Sequence, residues 1–548
     1  MLLDTPVRNA VDAILGRLDP EQRAAATLPD GAAQIIAPAG SGKTTTMVAR
    51  LAVLLGRGVP PSAICVVTFN RDAALDLAAR VRAKLGTILP TADAIEIRTL
   101  HALARQVLLD AGDRSELMSD RLPLLRAARR RVLSAAPGTA VPEAALLDGW
   151  RSMWRIEGRQ PPAEGGEVLA VYEELLRARG AMDFDDLVVR ACELLEADPR
   201  LRLRWQARFL HVCVDEFQDV DAAQLRMVRL LAAPQNNLFV VGDDDQTIYA
   251  WRLADVRRIL SFTTAYPGAR RVMLATNYRC PAQVVERSAR LIAVNRERFQ
   301  KPIRAPRDAA RAPASVVAWS TAPPDWTERI ARFTADEDAA GRSCCVLTRT
   351  RAELTPVMLG LVRLGVRHTS AIPPIVESPS LIALLEDARG SPDRDHPFHV
   401  LRRLREVRGW ARAQESGDRL ADEEHGALDA LLGWSVGYRT IEAFVSAYDA
   451  ARARIAALRD PAAPVELATV HGSKGREWET VIVLGFEADR MPNRRSLVDA
   501  DDPERALEEE RRLAYVALTR ATRRLILAFD PARPSPFLAE LGLAASPV

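Results

Sequence analysis

Residues 214–220 read VDEFQDV, and residues 241–252 read VGDDDQTIYAWR. In each, an apolar run (210–214 and 238–241) ends abruptly in acidic and amide side chains. Such runs suit strands buried on both faces of a parallel sheet, which present functional groups at their carboxyl ends. Asp215 and Glu216 are adjacent carboxylates, suited to a metal ion and an attacking water. Gln246 suits the sensing of a phosphate, and Tyr249 and Trp251 suit stacking on bases. Nucleotide chemistry and nucleic-acid contact therefore fall within one short stretch of chain.

Working outward, QIIAPAG, AICVVTF and FLHVCVDEF are each followed by a helical pattern. That alternation predicts parallel sheets with crossover helices. Residues 102–180 break it with Leu-, Ala- and Arg-rich helical patterns and turns near Pro123, Pro137, Pro161 and Pro162. SVVAWS and SCCVLTRT open a second α/β section, residues 376–463 are again helical in pattern, and VELATVHG, ETVIVLGF and RRLILAF restore strand character. A chain of 548 residues is too long for one core. The expected fold class is α/β, with two parallel-sheet domains each interrupted by a mainly helical insertion. The expected boundaries are 1–100 plus 181–275 for the first domain and 101–180 for its insertion. The second domain is expected over 276–375 plus 464–548, with a short insertion over 376–463.

Lys and Arg together number 75 against 72 Asp and Glu, so a nucleic-acid footprint would have to be local. The six cysteines (65, 192, 213, 280, 344 and 345) form no CxxC pair and no array of zinc spacing. They read as small core residues in a reduced, cytoplasmic protein, and no structural zinc is expected. No secretory segment or membrane-spanning apolar run is present, so no membrane partner is expected.

APAGSGKTT, residues 37–45, follows the strand-like QII and opens a helix. Gly40, Ser41 and Gly42 let backbone N–H groups curl around phosphates at a helix N-terminus. Lys43 supplies a point charge to the β- and γ-phosphates and Thr44 a hydroxyl to Mg²⁺, and Thr45 is a further candidate nucleotide-binding residue. The generic pattern has Gly where this chain has Ala37. Asp215 would hold Mg²⁺ through its hydration shell, and Glu216 would orient and deprotonate the water. The bland alternative for this pair is an acidic helix N-cap. ATP and Mg²⁺ are the expected cofactors.

With these motifs in hand, the chain resembles superfamily 1A DNA helicases of the UvrD/Rep/PcrA type. The resemblance runs from Leu18 to about Phe529 with the motifs in the family's order. LDPEQ (18–22) is similar to the adenine-reading motif, which places Gln22 on the base. VVTFNRDAA (66–74) resembles motif Ia, RTLHALA (98–104) motif Ib, and FDDLV (184–188) the segment re-entering the first motor domain. TNYRC (276–280) resembles motif IV, which implies Tyr278 against adenine and Arg279 as an arginine finger. ATVHGSKGREW (468–478) resembles motif V, with Gly475, a ribose-contacting Glu477, and His471 nearer DNA. EEERRLAYVALTRA (508–521) resembles motif VI, whose Arg520 is the second implied finger. The implied architecture is two RecA-like motor domains, the first carrying Lys43, Thr44, Asp215 and Glu216 and the second both fingers. Single-stranded DNA is expected against Phe69, His101, Tyr249, Trp251, Arg252 and His471, and Gln246 on the γ-phosphate. Trp150 and Trp154 are assigned to core.

The chain departs from the family at several DNA-side positions. Asn70, Arg71 and Asp72 replace the TNK of motif Ia, Leu100 a Phe in motif Ib, and Leu253 a Gly in motif III. Arg476 replaces a Leu and Trp478 a Phe in motif V. The second insertion looks short, and neither a C-terminal interaction tail nor a nuclease domain is expected. Two basic clusters, Arg126/Arg129/Arg130/Arg131 and Arg402/Arg403/Arg405/Arg408/Arg412, are either solvated helix faces or a grip on duplex DNA. The leading functional expectation is a DNA-dependent ATPase moving 3′→5′ on single-stranded DNA and opening duplexes at junctions, in repair, replication or recombination. The alternatives are a motor subunit needing a separate nuclease or repair protein, and a nucleotide-gated DNA-binding switch with little turnover.

Overall fold

The computed structural model describes residues 5–86, 90–306, 315–320, 325–351, 353–370, 375–390, 395–408, 428 and 431–543. The chain forms two compact units, Met1–Ala310 with Arg511–Tyr515, and Arg311–Glu510 with Val516–Val548.

Unit 1 is built on β1 (Ala33–Ile36), β2 (Ile64–Thr68) and β3 (Glu96–Thr99), followed by the short pair β4 (Glu116–Leu117) and β5 (Ala181–Met182). It continues with β6 (His211–Val214), β7 (Leu238–Gly242) and β8 (Arg270–Met273). Six of these make one parallel sheet in the order β3-β2-β6-β7-β1-β8. Their side chains alternate between two cores, as strands buried on both faces must. Ile36, Cys65, Val67, Val212, Val214 and Val240 point to one. Ile35, Val66, Cys213, Phe239 and Val241 point to the other. All six cysteines of the chain are free and buried, as expected of small core residues.

The first helical insertion has a core of its own around Leu124, Leu125, Leu147, Leu169, Tyr172 and Leu176, and Trp150 and Trp154 pack against it. It begins later than residue 101. The helix Leu100–Asp110 instead contributes Leu103, Val107 and Leu108 to the sheet's core. The re-entering FDDLV segment anchors the insertion through ion pairs. Asp183 caps the helix Phe184–Ala197 in a reciprocal capping box with Asp186. The fully buried Arg151 meets Asp186 at 3.1 Å and Asp183 at 3.6 Å, and Arg155 donates to Asp186 at 2.8 Å. Removing one member of such a cluster strands buried charge, at about 3–5 kcal/mol.

Unit 2 contains β9 (Val316–Ser320), β10 (Cys344–Thr348), β11 (Thr369–Ser370), β12 (Val465–Thr469), β13 (Trp478–Leu484) and β14 (Ala521–Phe529). They form a second parallel sheet, β11-β12-β10-β13-β14-β9. Helices Pro379–Arg389, Pro397–Val407 and Ile441–Leu458 share one hydrophobic core with this sheet, through Leu384, Leu401, Phe444 and Tyr448. The α/β expectation with two parallel sheets is met.

The first boundary differs from expectation. Residues 276–306, expected in the second domain, belong to unit 1. Thr276 bridges Arg304, Arg304 pairs with Glu21 at 2.9 Å, and Tyr278 N donates to the Gly40 carbonyl at 2.9 Å. Motif IV is thereby tied to the first sheet. Among the described residues no helix is long and apolar enough to cross a membrane.

Candidate ATP site and DNA surface

The carboxyl ends of unit 1's strands carry the candidate residues in a definite order. From β3 to β8 that edge presents His101, then Phe69 after β2, Asp215 and Glu216 after β6, and Asp243–Gln246 after β7. The loop 37–42 follows β1, and Asn277–Arg279 follow β8. Neighbouring parallel strands lie about 4.8 Å apart. Phe69 and the phosphate loop are three strand positions apart, with the acidic pair and the amide between them.

The loop 37–42 turns from β1 into the helix Lys43–Gly56 through Gly40 (φ 68°) and Gly42 (φ 81°), both left-handed. Ala37 has no left-handed backbone, so its methyl is tolerated where the generic pattern has Gly. A Cβ on Gly40 would lie 2.3 Å from Asn277 Oδ1, and one on Gly42 would lie 2.5 Å from Gln22 Nε2. Lys43 Nζ donates to the Ala37 carbonyl at 2.9 Å, and Gln22 Nε2 to the Ser41 carbonyl at 2.9 Å. Thr44 and Thr45 are half-buried at the start of the helix. Tyr278 OH donates to Asp19 at 2.7 Å, beside the helix that carries Gln22.

Asp215 N donates to the Val67 carbonyl at 2.9 Å, and Glu216 N to Asp215 Oδ1 at 3.0 Å. Glu216 sits at φ 50°, in the left-handed region that costs a non-glycine residue about 1–2 kcal/mol. Strain of this kind collects at functional sites. A small cavity of about 10 Å³ is walled by Asp215, Glu216 and Phe69 among others, so the acidic pair and the first aromatic share one space. A larger cavity, of about 520 Å³, lies against Glu196, Arg226 and Arg258 and contains none of the candidate residues.

Gln246 is buried and donates from Nε2 to Asp243 Oδ2 at 2.6 Å. The three aspartates before it are paired with two cations that sequence reasoning missed. Lys301 Nζ contacts Asp243 at 3.2 Å, Asp245 at 2.7 Å, and also Asp244, while Arg298 grips Asp245 through two bonds of 2.8 Å. A signal for Lys301 existed: the chain has only four lysines, at 43, 84, 301 and 474, amid many arginines. Burial and the neighbouring aspartates push Asp244 up to about 6 despite Lys301.

Five of the six expected DNA residues come together in unit 1. Phe69 and Tyr249 stack at 4.8 Å, Tyr249 meets Trp251 edge-on at 6.3 Å, and the Arg252 guanidinium lies 5.1 Å from the Trp251 ring. Trp251 is 66% exposed, far more than a core tryptophan. Burial, with Arg252 nearby, holds His101 below its ordinary pKa. Phe184, exposed and edge-on to His101 at 5.9 Å, extends this aromatic surface and was not singled out from sequence. Its hidden signal was an exposed-helix position filled by an aromatic in an otherwise acidic turn. Of the motif Ia replacements, Asn70 caps the helix Arg71–Leu85 by accepting from Ala73 N at 2.8 Å, and Arg71 is exposed.

His471, Gly475 and Glu477 lie in unit 2 after β12, Gly475 at φ 83° and Glu477 exposed. The two replacements in this motif fit each other. Arg476 lies 5.1 Å over the Trp478 ring, and both donate to Glu466. Arg520 is buried, with Nε on the Val516 carbonyl at 2.9 Å and Nη1 on the Arg476 carbonyl at 3.3 Å. The expectation that both fingers come from the second motor domain does not hold, because Arg279 lies in unit 1 with its Cβ packed against Gly40. Among the basic clusters, Arg402 pairs with Glu406 at 3.2 Å, Arg403 with Asp395 at 2.8 Å and Arg408 with Asp387 at 2.6 Å, and Arg405 is buried. Arg412 lies outside the described residues. Within the described residues, three arginines of that cluster are thus paired with carboxylates of the same unit. In the first cluster Arg129 pairs with Glu143 at 2.8 Å and Arg131 with Glu174 at 3.6 Å, whereas Arg126 and Arg130 are exposed.

Thr44 and Asp215 offer the oxygen donors that Mg²⁺ prefers, and one or two protein ligands suffice when phosphates and water complete the shell. Among the described residues no group of three or more His, Cys, Asp or Glu could hold a metal ion unaided.

The chain is matched by the family model of the UvrD/REP helicase N-terminal domain over residues 18–267. The UvrD-like helicase C-terminal domain matches residues 440–530. It is 29% identical to the ATP-dependent DNA helicase UvrD2 of Mycobacterium tuberculosis, over 96% of this chain and 80% of that protein. Identity to DNA helicase II of Escherichia coli is 27%, over 97% of this chain and 88% of that protein. The ATP-dependent DNA helicase PcrA of Bacillus subtilis is 33% identical over 53% of this chain and 41% of its own length.

Proposed function

Because the chain belongs to the UvrD/REP helicase family, we propose that this ATP-dependent DNA helicase is a DNA-stimulated ATPase that moves 3′→5′ on single-stranded DNA and opens duplexes at junctions. The observation that supports this most is the order of groups along one sheet edge, from the aromatic surface through Glu216 and Gln246 to the phosphate loop. In the proposed reaction Lys43 exchanges the Ala37 carbonyl for the β- and γ-phosphates. Glu216 accepts the proton of the attacking water, and Gln246 reads the γ-phosphate. Mg²⁺, held through Thr44 and Asp215, would neutralise charge developing on the phosphates.

Arg279, beside Gly40, is proposed as one stabiliser of the γ-phosphate. Arg520, from unit 2, is proposed as the second stabiliser. Gln22 and Tyr278 are proposed to read adenine, and Gly475 and Glu477 the ribose side. Single-stranded DNA is proposed to stack on Tyr249 and Trp251, with Phe69, His101, Arg252 and His471 beside it. A cytoplasmic role in DNA repair, replication or recombination belongs to the same proposal.

The test compares unwinding of 3′-tailed, 5′-tailed and blunt duplexes by the full chain. Preferential opening of 3′-tailed duplexes is expected. Preference for 5′ tails would contradict the direction, and ATP hydrolysis without unwinding would mark a motor that needs a separate partner.

A further inference from the structure

One side chain between the acidic pair and the phosphate sensor has no place in the reaction just described. Gln218 is fully buried in the 3-10 turn Phe217–Asp219 that follows Glu216. Its Nε2 donates to Glu216 Oε2 at 2.5 Å, and its Oε1 accepts from Asp243 N at 3.0 Å. Asp243 in turn accepts from Gln246 Nε2 at 2.6 Å on Oδ2 and meets Lys301 Nζ at 3.2 Å on Oδ1. Glu216 and Gln246 are thus the two ends of one hydrogen-bonded chain, Glu216–Gln218–Asp243–Gln246, running from the end of β6 to the end of β7.

The local sequence makes room for this chain. A Cβ on Gly242 would lie 2.6 Å from Gln218 Oε1 and 2.8 Å from Ile259 Cδ1. Gly242 has no left-handed backbone, so space alone asks for glycine there. An uncharged amide can donate to a carboxylate from its nitrogen while its oxygen accepts a backbone N–H. The carboxylate it holds belongs to a residue with strained backbone, Glu216 at φ 50°. A proton acceptor must sit within hydrogen-bond reach of its water, so holding its position bears directly on rate.

We propose that Gln218 is a positioning residue for ATP hydrolysis, fixing the Glu216 carboxylate in register with Gln246. The group that takes the water's proton and the group that reads the γ-phosphate are then held as one unit. This rests on the roles proposed above for Glu216 and Gln246.

The test measures kcat and KM for ATP of the full chain with saturating single-stranded DNA, for Gln218→Met and Gly242→Ala, with Glu216→Gln as the reference. Gln218→Met keeps length and volume but makes neither bond, and Gly242→Ala keeps Gln218 while displacing its Oε1. Both are expected to lower kcat about tenfold or more, part of the roughly 10²–10⁴ a positioned proton acceptor supplies, with KM for ATP held within about twofold. Wild-type kcat in Gln218→Met, or a loss carried entirely by KM, would overturn the proposal. If Gln218→Met does not fold, Gly242→Ala decides by the same two readouts. Wild-type turnover in Glu216→Gln would instead bring down the assignment of Glu216 itself, a failure distinguishable from that of Gln218.

Discussion

Two non-glycine residues near the site adopt left-handed backbone, Glu216 at φ 50° and Leu253 at φ 64°. Leu253 stands where the resemblance places a glycine, and the backbone explains that preference: residues with a Cβ are strained there. This chain keeps the left-handed turn and carries a leucine in it. Replacing Leu253 with glycine and with alanine separates backbone strain from side-chain packing, since both remove the isobutyl group. Leu253→Gly is expected to be more stable than Leu253→Ala by about 1 kcal/mol, read from urea unfolding midpoints. At this scale the sequence marks candidates wherever a residue type carries its own chemistry, as with Lys43, Asp215, Glu216 and the aromatics. It was silent on Gln218 and Arg298, ordinary residue types whose importance comes from burial beside particular partners.

Among the elements, the helix Ala222–Ala232 shows how a cap can become a titrating group. Asp221 accepts from Gln224 N at 2.8 Å, and Gln224 answers by accepting from Asp221 N at 3.2 Å. Burial outweighs these bonds and pushes the Asp221 carboxyl from the ordinary 3.8 up to about 6. Between those values the folded chain holds a proton that the unfolded chain has released. The contribution of Asp221 to stability therefore falls as pH rises from about 4 to 6. Asparagine caps a helix equally well without ionising. Asp221→Asn is expected to gain stability relative to wild type over that interval, by up to about 3 kcal/mol at pH 7. Denaturant titrations of both proteins at pH 4.5 and 7 check this. The difference between them matters because Asp244 titrates in the same interval. Strand and helix identities were readable here from apolar runs and caps. The start of the insertion was misplaced because the helix Leu100–Asp110 has the composition of the insertion but packs on the sheet.

Across the whole molecule, function follows from strand order, which one-dimensional patterns did not carry. Sequence showed that several strands end in reactive groups. It did not show that β2, β6, β7 and β1 are neighbours, which sets Phe69, Glu216, Gln246 and Lys43 in line. The placement of residues 276–306 failed for a related reason. Their partners, Gly40, Glu21 and Asp243–Asp245, lie far back in the chain and are reached only by folding. The central claim is that ATP chemistry at Glu216 is coupled to DNA held at Trp251 through this edge. Steady-state ATP hydrolysis with and without single-stranded DNA, by wild type, Glu216→Gln and Trp251→Ala, tests it most directly. The expected result is strong stimulation by DNA in the wild type. Turnover should be lost in Glu216→Gln, by about 10²-fold or more, and Trp251→Ala should keep its DNA-free rate but respond weakly to DNA. A slow wild-type rate indifferent to DNA would contradict the claim and indicate a nucleotide-gated switch.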